Sequence, residues 1–255
     1  MLGQIKNANA AWQWMAVGKH PVARDYFKTG ADEPLLDAFA DRIESGYRRL
    51  TESGRQAGAG NGWRFWVRGG KKHRLLAGIC RNSSDSVGRN YLLVVAGSGP
   101  LDGWEKHWDL LTLALESCWG RAEELAAKRF LDFAHLKQTL RLIPTPSSDW
   151  SDWHGVLQDA AAQFQRTSES PLGAVELGPA LRSFSKQAAA VVPIEDIAPG
   201  MESEHLAVLL TGFKRNGAEM PLAVFLGGGN RGTELMLYRR PLAQEDFVRL
   251  WADEK

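Results

Sequence analysis

Between Trp63 and Gly97 the chain reads as three strands in succession. "WRFWVR" (63–68), "RLLAGICR" (74–81) and "RNYLLVVAG" (89–97) are joined by connections too short to hold a helix. Connections of that length join antiparallel neighbours. "GGKK" after the first segment is a hairpin signal. The first strand alternates, with Trp63, Phe65 and Val67 facing one way and Arg64 and Arg68 the other. This pattern predicts a core face opposite a solvated face. The third is apolar almost throughout from Tyr91 to Ala96, which predicts a central strand covered on both faces.

Helical periodicity surrounds this block. "WQWMAV" (12–17) reads as a strand, and "GKHPVARDYFKTG" (18–30) as a loop broken by Gly18, Pro21 and Gly30. A helix is predicted from about Asp32 to Leu50, with Asp32 as cap, Pro34 in the first turn and Leu36, Phe39, Ile43, Tyr47 and Leu50 on one face. Another is predicted from Trp104 to Trp119, interrupted at Gly120, with a further stretch to about Leu142. Trp150, Trp153, Leu157, Ala160 and Phe164 mark a third helix, for which Ser148 or Asp149 is the candidate cap. Residues Arg166 to Gly200 carry one strand-like run, "AAAVVPIEDI". "SEHLAVLLTGFKRNG" reads as a helix closed by Gly217. "PLAVFLGGGNRGTELMLYRR" reads as a strand pair able to extend the same sheet, and "QEDFVRLW" as a last helix. Strands and helices segregate without regular alternation. The fold class is therefore α+β: a mainly antiparallel central sheet flanked by helices, read as one domain over residues 1–255.

Charge removes some functions. The net charge is +1, so there is no chain-wide basic field for nucleic acid. The local patch "WRFWVRGGKKHRLL" holds Arg64, Arg68, Lys71, Lys72, His73 and Arg74 beside Trp63 and Trp66. Aromatic-plus-basic hairpins bind single strands, but the alternation separates Trp63 from the arginines and favours a plain solvated face. Cys80 and Cys118 show neither C-x-x-C nor zinc spacing and read as buried thiols of a reducing cytoplasm. The start of the chain does not read as a signal peptide, and no run has the ~18 apolar residues of a membrane helix.

Motifs for chemistry are missing. "GGGNRG" (227–232) satisfies G-x-G-x-x-G, but the strand-like "TELMLYRR" follows where a dinucleotide site needs a helix. "GKHP" lacks the first glycine of a phosphate loop, with Gln13 in its place, and has His20 where Ser or Thr would bind magnesium. There is no G-x-S-x-G and no H-E-x-x-H. The six histidines have no short-range His or Cys partner, so no metal site or cofactor is proposed. What remains is Asp25 in the first loop, Asp85 before the third strand, and Arg89 at its start. Such a set makes either a structural clamp, through a guanidinium–carboxylate bond, or an anion site. The residue types favour the clamp.

The same two loops carry a resemblance. "GKHPVARDYF" resembles the Gly-Lys-x-Pro-x-x-x-Asp-Phe opening of the TagF (ImpM) family, associated with bacterial type VI secretion. "NSSDSVGRNYLL" resembles that family's Ser-x-Asp-x-x-Gly-Arg-x-Phe-Pro-Leu signature, with Ser83, Asp85, Gly88, Arg89, Tyr91 and Leu93 in matching positions. Leu92 stands where the family has proline, and Tyr26 is inserted before Phe27. Val224-Phe225-Leu226-Gly227 stands where tryptophans are common. The chain is thus similar to a divergent member.

The resemblance implies a cytoplasmic accessory protein. It would restrain type VI secretion post-translationally by binding the forkhead-associated (FHA) scaffold, with no catalytic residues, cofactor, nucleic acid or membrane insertion. Gly18, Lys19, Pro21, Asp25, Ser83, Asp85, Gly88 and Arg89 are then the partner-binding or loop-clamp residues. Gly18 and Gly88 permit unusual backbone angles, and Pro21 stiffens the first loop. Two rivals use other chemistry: a nucleotide- or phosphate-binding enzyme built on Asp25, Asp85 and Arg89, and a nucleic-acid binder built on Trp63 to Arg74.

Overall fold

A computed structural model describes residues 12–55, 57, 60–167, 187–194, 200–229 and 232–252. Most of the Arg166–Gly200 stretch, Asn230 and Arg231, the start of the chain and the side chain of Phe164 lie outside the described residues. Eight strands form one sheet: β1 (Gln13–Gly18), β2 (Phe27–Gly30), β3 (Gly62–Arg68), β4 (Arg74–Ser84), β5 (Asn90–Pro100), β6 (Ala189–Ile194), β7 (Ala223–Gly229) and β8 (Gly232–Tyr238). The spatial order is β2-β1-β5-β4-β3-β7-β8-β6, and every pairing between them is antiparallel. Among the described residues six helices are found: α1 (Pro34–Glu52), α2 (Leu111–Ala127), α3 (Phe133–Arg141), α4 (Trp150–Thr167), α5 (Glu202–Arg215) and α6 (Gln244–Arg249). The architecture is α+β.

Both faces of the sheet are covered. One carries α1 and α6, where Leu36, Phe39, Ile43, Tyr47 and Leu50 pack with Phe65, Val94, Phe225, Phe247 and Trp251. The other carries α2, α3 and α5, where Leu111, Leu115, Trp119, Leu136 and Phe213 pack with Trp14, Trp66, Val95 and Leu226. Alternate residues of β5 therefore enter opposite cores: Leu93 and Val95 one, Leu92, Val94 and Ala96 the other. Hence its unbroken apolar run.

The solvated face expected of β3 is reduced to its Arg68 end. Trp66 lies on the arginine side and is fully buried, and α2 covers that side. Arg64 is held by Glu123 of α2, Nε at 2.7 Å and Nη2 at 2.8 Å, with Nη1 on Glu116 at 2.9 Å. An arginine read as a solvent marker is here a sheet-to-helix tie.

Local chemistry corrects other boundaries. Glu33, not Asp32, precedes the first turn of α1, and its side chain makes no cap bond. The first loop ends in a short strand, β2, paired with β1. Trp104 sits in turns before a 3-10 segment (Trp108–Leu110), so α2 starts at Leu111 and runs through Gly120 without interruption. Gly120 has nothing within 4 Å of a notional Cβ, so no packing requires it there. The terminal strand pair joins β3 through β7, as the pattern suggested.

Gly46 in α1 is set by packing. A Cβ there would lie 2.5 Å from the Phe247 carbonyl carbon, which is backbone. Asn61 and Trp63 fasten the same segment by donating to the Leu250 and Trp251 carbonyls. Gly46→Ala is expected to gain helix propensity but push α6 outward, for a net loss of about 1–3 kcal/mol. A urea midpoint equal to or above that of the parent protein would contradict this.

Candidate functional site

The β4–β5 turn and the β1–β2 loop meet at one end of the sheet. Gly18 ends β1 with φ +123°, and a Cβ there would stand 2.2 Å from the Leu92 carbonyl oxygen. Only glycine fits this approach. The Lys19 N–H then donates to the same carbonyl at 2.9 Å. His20 to Ala23 form a turn, closed by the Ala23 N–H on the His20 carbonyl at 2.9 Å, with Pro21 at its second position. The two loops touch directly where the Ser86 N–H donates to the Ala23 carbonyl at 2.9 Å.

Asp85 is the centre. It is 2% exposed. Its Oδ1 accepts from the N–H groups of Val87 (3.0 Å) and Arg89 (2.9 Å). Its Oδ2 accepts from Arg89 Nε (2.7 Å) and pairs with Lys19 Nζ (3.0 Å). Arg89 Nη2 donates to the Arg24 carbonyl at 2.7 Å and reaches Asp25 Oδ1 at 3.5 Å. Asp25 also receives the Tyr26 N–H at 2.8 Å. Gly88, φ +85°, lets the turn close, with its N–H on the Asp85 carbonyl at 3.0 Å.

The predicted residues therefore converge, with one exception. Gly18, Lys19, Asp25, Asp85, Gly88 and Arg89 build the clamp, and Pro21 shapes its loop. Ser83 lies within β4 opposite Tyr91, outside the cluster.

Burial acts to raise the Asp85 pKa. The Arg89 N–H, the Lys19 ammonium, the Arg89 guanidinium and the Val87 N–H outweigh it and hold the carboxyl well below its usual range.

Two partners had no sequence signal. Glu44, on the polar side of α1, accepts from the Tyr26 hydroxyl at 3.0 Å and the Tyr91 hydroxyl at 2.7 Å. Burial, then Glu44, pushes both phenols above their ordinary pKa. His20 is 1% exposed, and its Nδ1 accepts the Val22 N–H at 3.1 Å. Burial lowers its pKa, against the Leu125 and Lys128 carbonyls, which favour the proton.

Elsewhere several charges are internally matched. In the basic hairpin Trp63 and Trp66 are buried, Arg74 pairs with Glu33, and His73 pairs with Glu105 at 3.2 Å. Its two tryptophans are therefore closed to stacking with bases. "GGGNRG" begins at the end of β7, and β8 starts at its last glycine, so no helix follows it. His107 and His154, distant in sequence, have ring centroids 5.4 Å apart. Both cysteines are buried thiols, and burial pushes Cys118 up to about 12. A cleft of about 710 Å³ between α2 and the sheet holds the Arg64–Glu123 pair. No helix among the described residues is long and apolar enough to cross a membrane.

The geometry defines an α+β protein whose two signature loops are locked by one buried carboxylate. Residues 16–143, just over half of the chain, match a family described as the TagF N-terminal domain, type VI secretion system-associated. The chain belongs to that family. No curated protein matches its sequence. Among solved structures it is similar to the crystal structure of PA0076 from Pseudomonas aeruginosa PAO1, at 15% identity, TM-score 0.52 and 96% coverage of both chains, which shows a shared fold.

These shifts predict a stability profile in pH. The folded-state pKa of His20 lies below its unfolded value, so its contribution is full above about pH 6.5 and is lost as pH falls below it. His107 acts in the same direction, through burial and then His154. The Asp85 pKa is also depressed, so its contribution is full above about pH 4 and is lost below it. Thermal melts from pH 8 to 3 should show both declines. His20→Asn should shrink the upper one and Asp85→Asn the lower, with a lower Tm for Asp85→Asn at pH 7. A pH profile unchanged by Asp85→Asn would refute the clamp energetics.

Proposed function

We propose that this protein is a non-catalytic adaptor of a bacterial type VI secretion system. It acts in the cytoplasm, binds the system's FHA scaffold through the surface of the two signature loops, and restrains assembly post-translationally. The observation that carries this reading is the closed clamp. Each charged group at the centre is taken up by another: Asp85 by Lys19 and Arg89, and Arg89 also by Asp25 and the Arg24 carbonyl. A carboxylate with four donors is a poor base, and a guanidinium on two acids is a poor anion receptor. What the clamp leaves outside is a fixed surface, with Tyr26 44% and Val87 66% exposed. Rigid loops bearing apolar side chains suit recognition by a protein.

The family membership supports the secretion context, and the FHA scaffold is the partner that the loop resemblance implies. The rival phosphate-site reading makes a measurable claim: a nucleotide, phosphate or divalent cation at a hundred times its Kd adds about 2.7 kcal/mol of stability. No shift in Tm is expected with any of them.

The direct test is calorimetry of the purified protein against the folded FHA scaffold from its own secretion cluster. Saturable one-to-one binding at micromolar Kd or tighter is expected. Arg89→Ala should lower Tm and weaken binding together. Val87→Asp, which keeps the backbone bond to Asp85, should weaken binding at unchanged Tm. No binding by the parent protein would overturn the adaptor reading, and so would an Arg89→Ala variant unchanged in both Tm and affinity.

A further inference from the structure

We infer that the docking surface extends past the signature loops onto the α2–α3 connection, and that its occupant is an acidic segment of the scaffold with apolar side chains. This rests on the adaptor reading. The connection, residues 128–132, abuts the first loop: the His20 and Phe130 rings lie 5.5 Å apart, and the Leu125 and Lys128 carbonyls face the imidazole. Three loops therefore share one surface.

The charges on it do not cancel. Every acid in these loops has an internal partner. Asp85 and Asp25 belong to the clamp, and Asp132 accepts the His135 N–H at 2.8 Å as the cap of α3. Three bases do not. Arg24, Lys128 and Arg129 are exposed and form no ion pair among the described residues, although Lys128 lies 5.6 Å from the centre of the Phe130 ring. Across the three loops five bases (Lys19, Arg24, Arg89, Lys128 and Arg129) stand against three acids (Asp25, Asp85 and Asp132), and the excess leaves a positive field that an outside acid can neutralise.

Apolar groups accompany those bases. Leu131 is 95% exposed in the same connection as Lys128 and Arg129, and Val87 is 66% exposed in the turn that touches the first loop. A leucine held fully in water contributes no burial to the fold and keeps its apolar surface for a partner. Branched aliphatic side chains among scattered bases fit a protein segment, and the exposed ring of the first loop, Tyr26, is tied to Glu44, whose charge disfavours a phosphate backbone. The clamp keeps the ordering cost of the receiving loops low.

The experiment is calorimetry of the FHA scaffold with the full chain and two variants, Lys128→Gln/Arg129→Glu and Leu131→Ser, at low and high salt. Neither variant touches a clamp bond, and Tm should be unchanged. The charge variant should bind about tenfold more weakly at low salt and converge on the parent as salt rises. Leu131→Ser should weaken binding at both salt levels. Scaffold binding with parent affinity in both variants would sink this inference and leave the adaptor reading standing. No scaffold binding by the parent would sink both. Controls with a single-stranded oligonucleotide and with anionic phosphatidylserine vesicles complete the test. If the charge variant loses affinity for either while its scaffold affinity is unchanged, the patch is not a protein site.

Discussion

The β4–β5 hairpin organises the molecule. Its two eleven-residue strands are buried on both faces along most of their length. A sheet covered on both sides needs helices on both, and the chain supplies α1 with α6 for one face and α2, α3 and α5 for the other. The hairpin also decides where the loops fall. β1 pairs along β5 and stops with Gly18 opposite Leu93, so the chain leaves β1 at the same end at which β4 turns into β5. Asp85 begins that turn. One buried carboxylate therefore closes the longest hairpin and holds the neighbouring loop.

Much of this was written in the sequence in periodic form. The stripe of α1 and the apolar run of β5 put their residues into the cores as read. The misreading of β3 has a plain cause: a local pattern has no knowledge of what covers a surface. Arg64 and Arg68 alternated with apolar residues as in a half-solvated strand, yet Glu116 and Glu123 arrive from α2, more than fifty residues on, to take Arg64. β2 escaped notice because four residues of alternating exposure leave no period to detect. Asp32 looked like a cap, but a side chain two residues from a proline has several local options, and Pro34 already fixes the helix start.

The site was legible in its identities and not in its wiring. Asp25, Asp85 and Arg89 stood out because nothing periodic explained them. Lys19 was visible as part of a loop signature, while its bond to Asp85 depends on the β1–β5 register. Glu44 was invisible, being one more acid on the wet side of an amphipathic helix. It matters because it fixes Tyr26 and Tyr91 from below, so the rim of the clamp is positioned by α1 as well as by the loops. The cluster is stiffened by groups that would each serve chemistry if left free. Its rigidity and the engagement of its charges thus have one cause.

The pairing of β3 with β7 carries a consequence of another kind. The family match ends at residue 143, but the sheet does not: β7 and β8 cover the open side of β3 and carry β6 beyond them. A fragment trimmed to the matched residues would bare the N–H and C=O groups of a strand holding Trp63, Phe65 and Trp66. Unpaired edges of that composition template their own kind. The C-terminal hairpin is thus a guard against self-association, and shortening the chain for convenience would yield inclusion bodies in place of a smaller working unit.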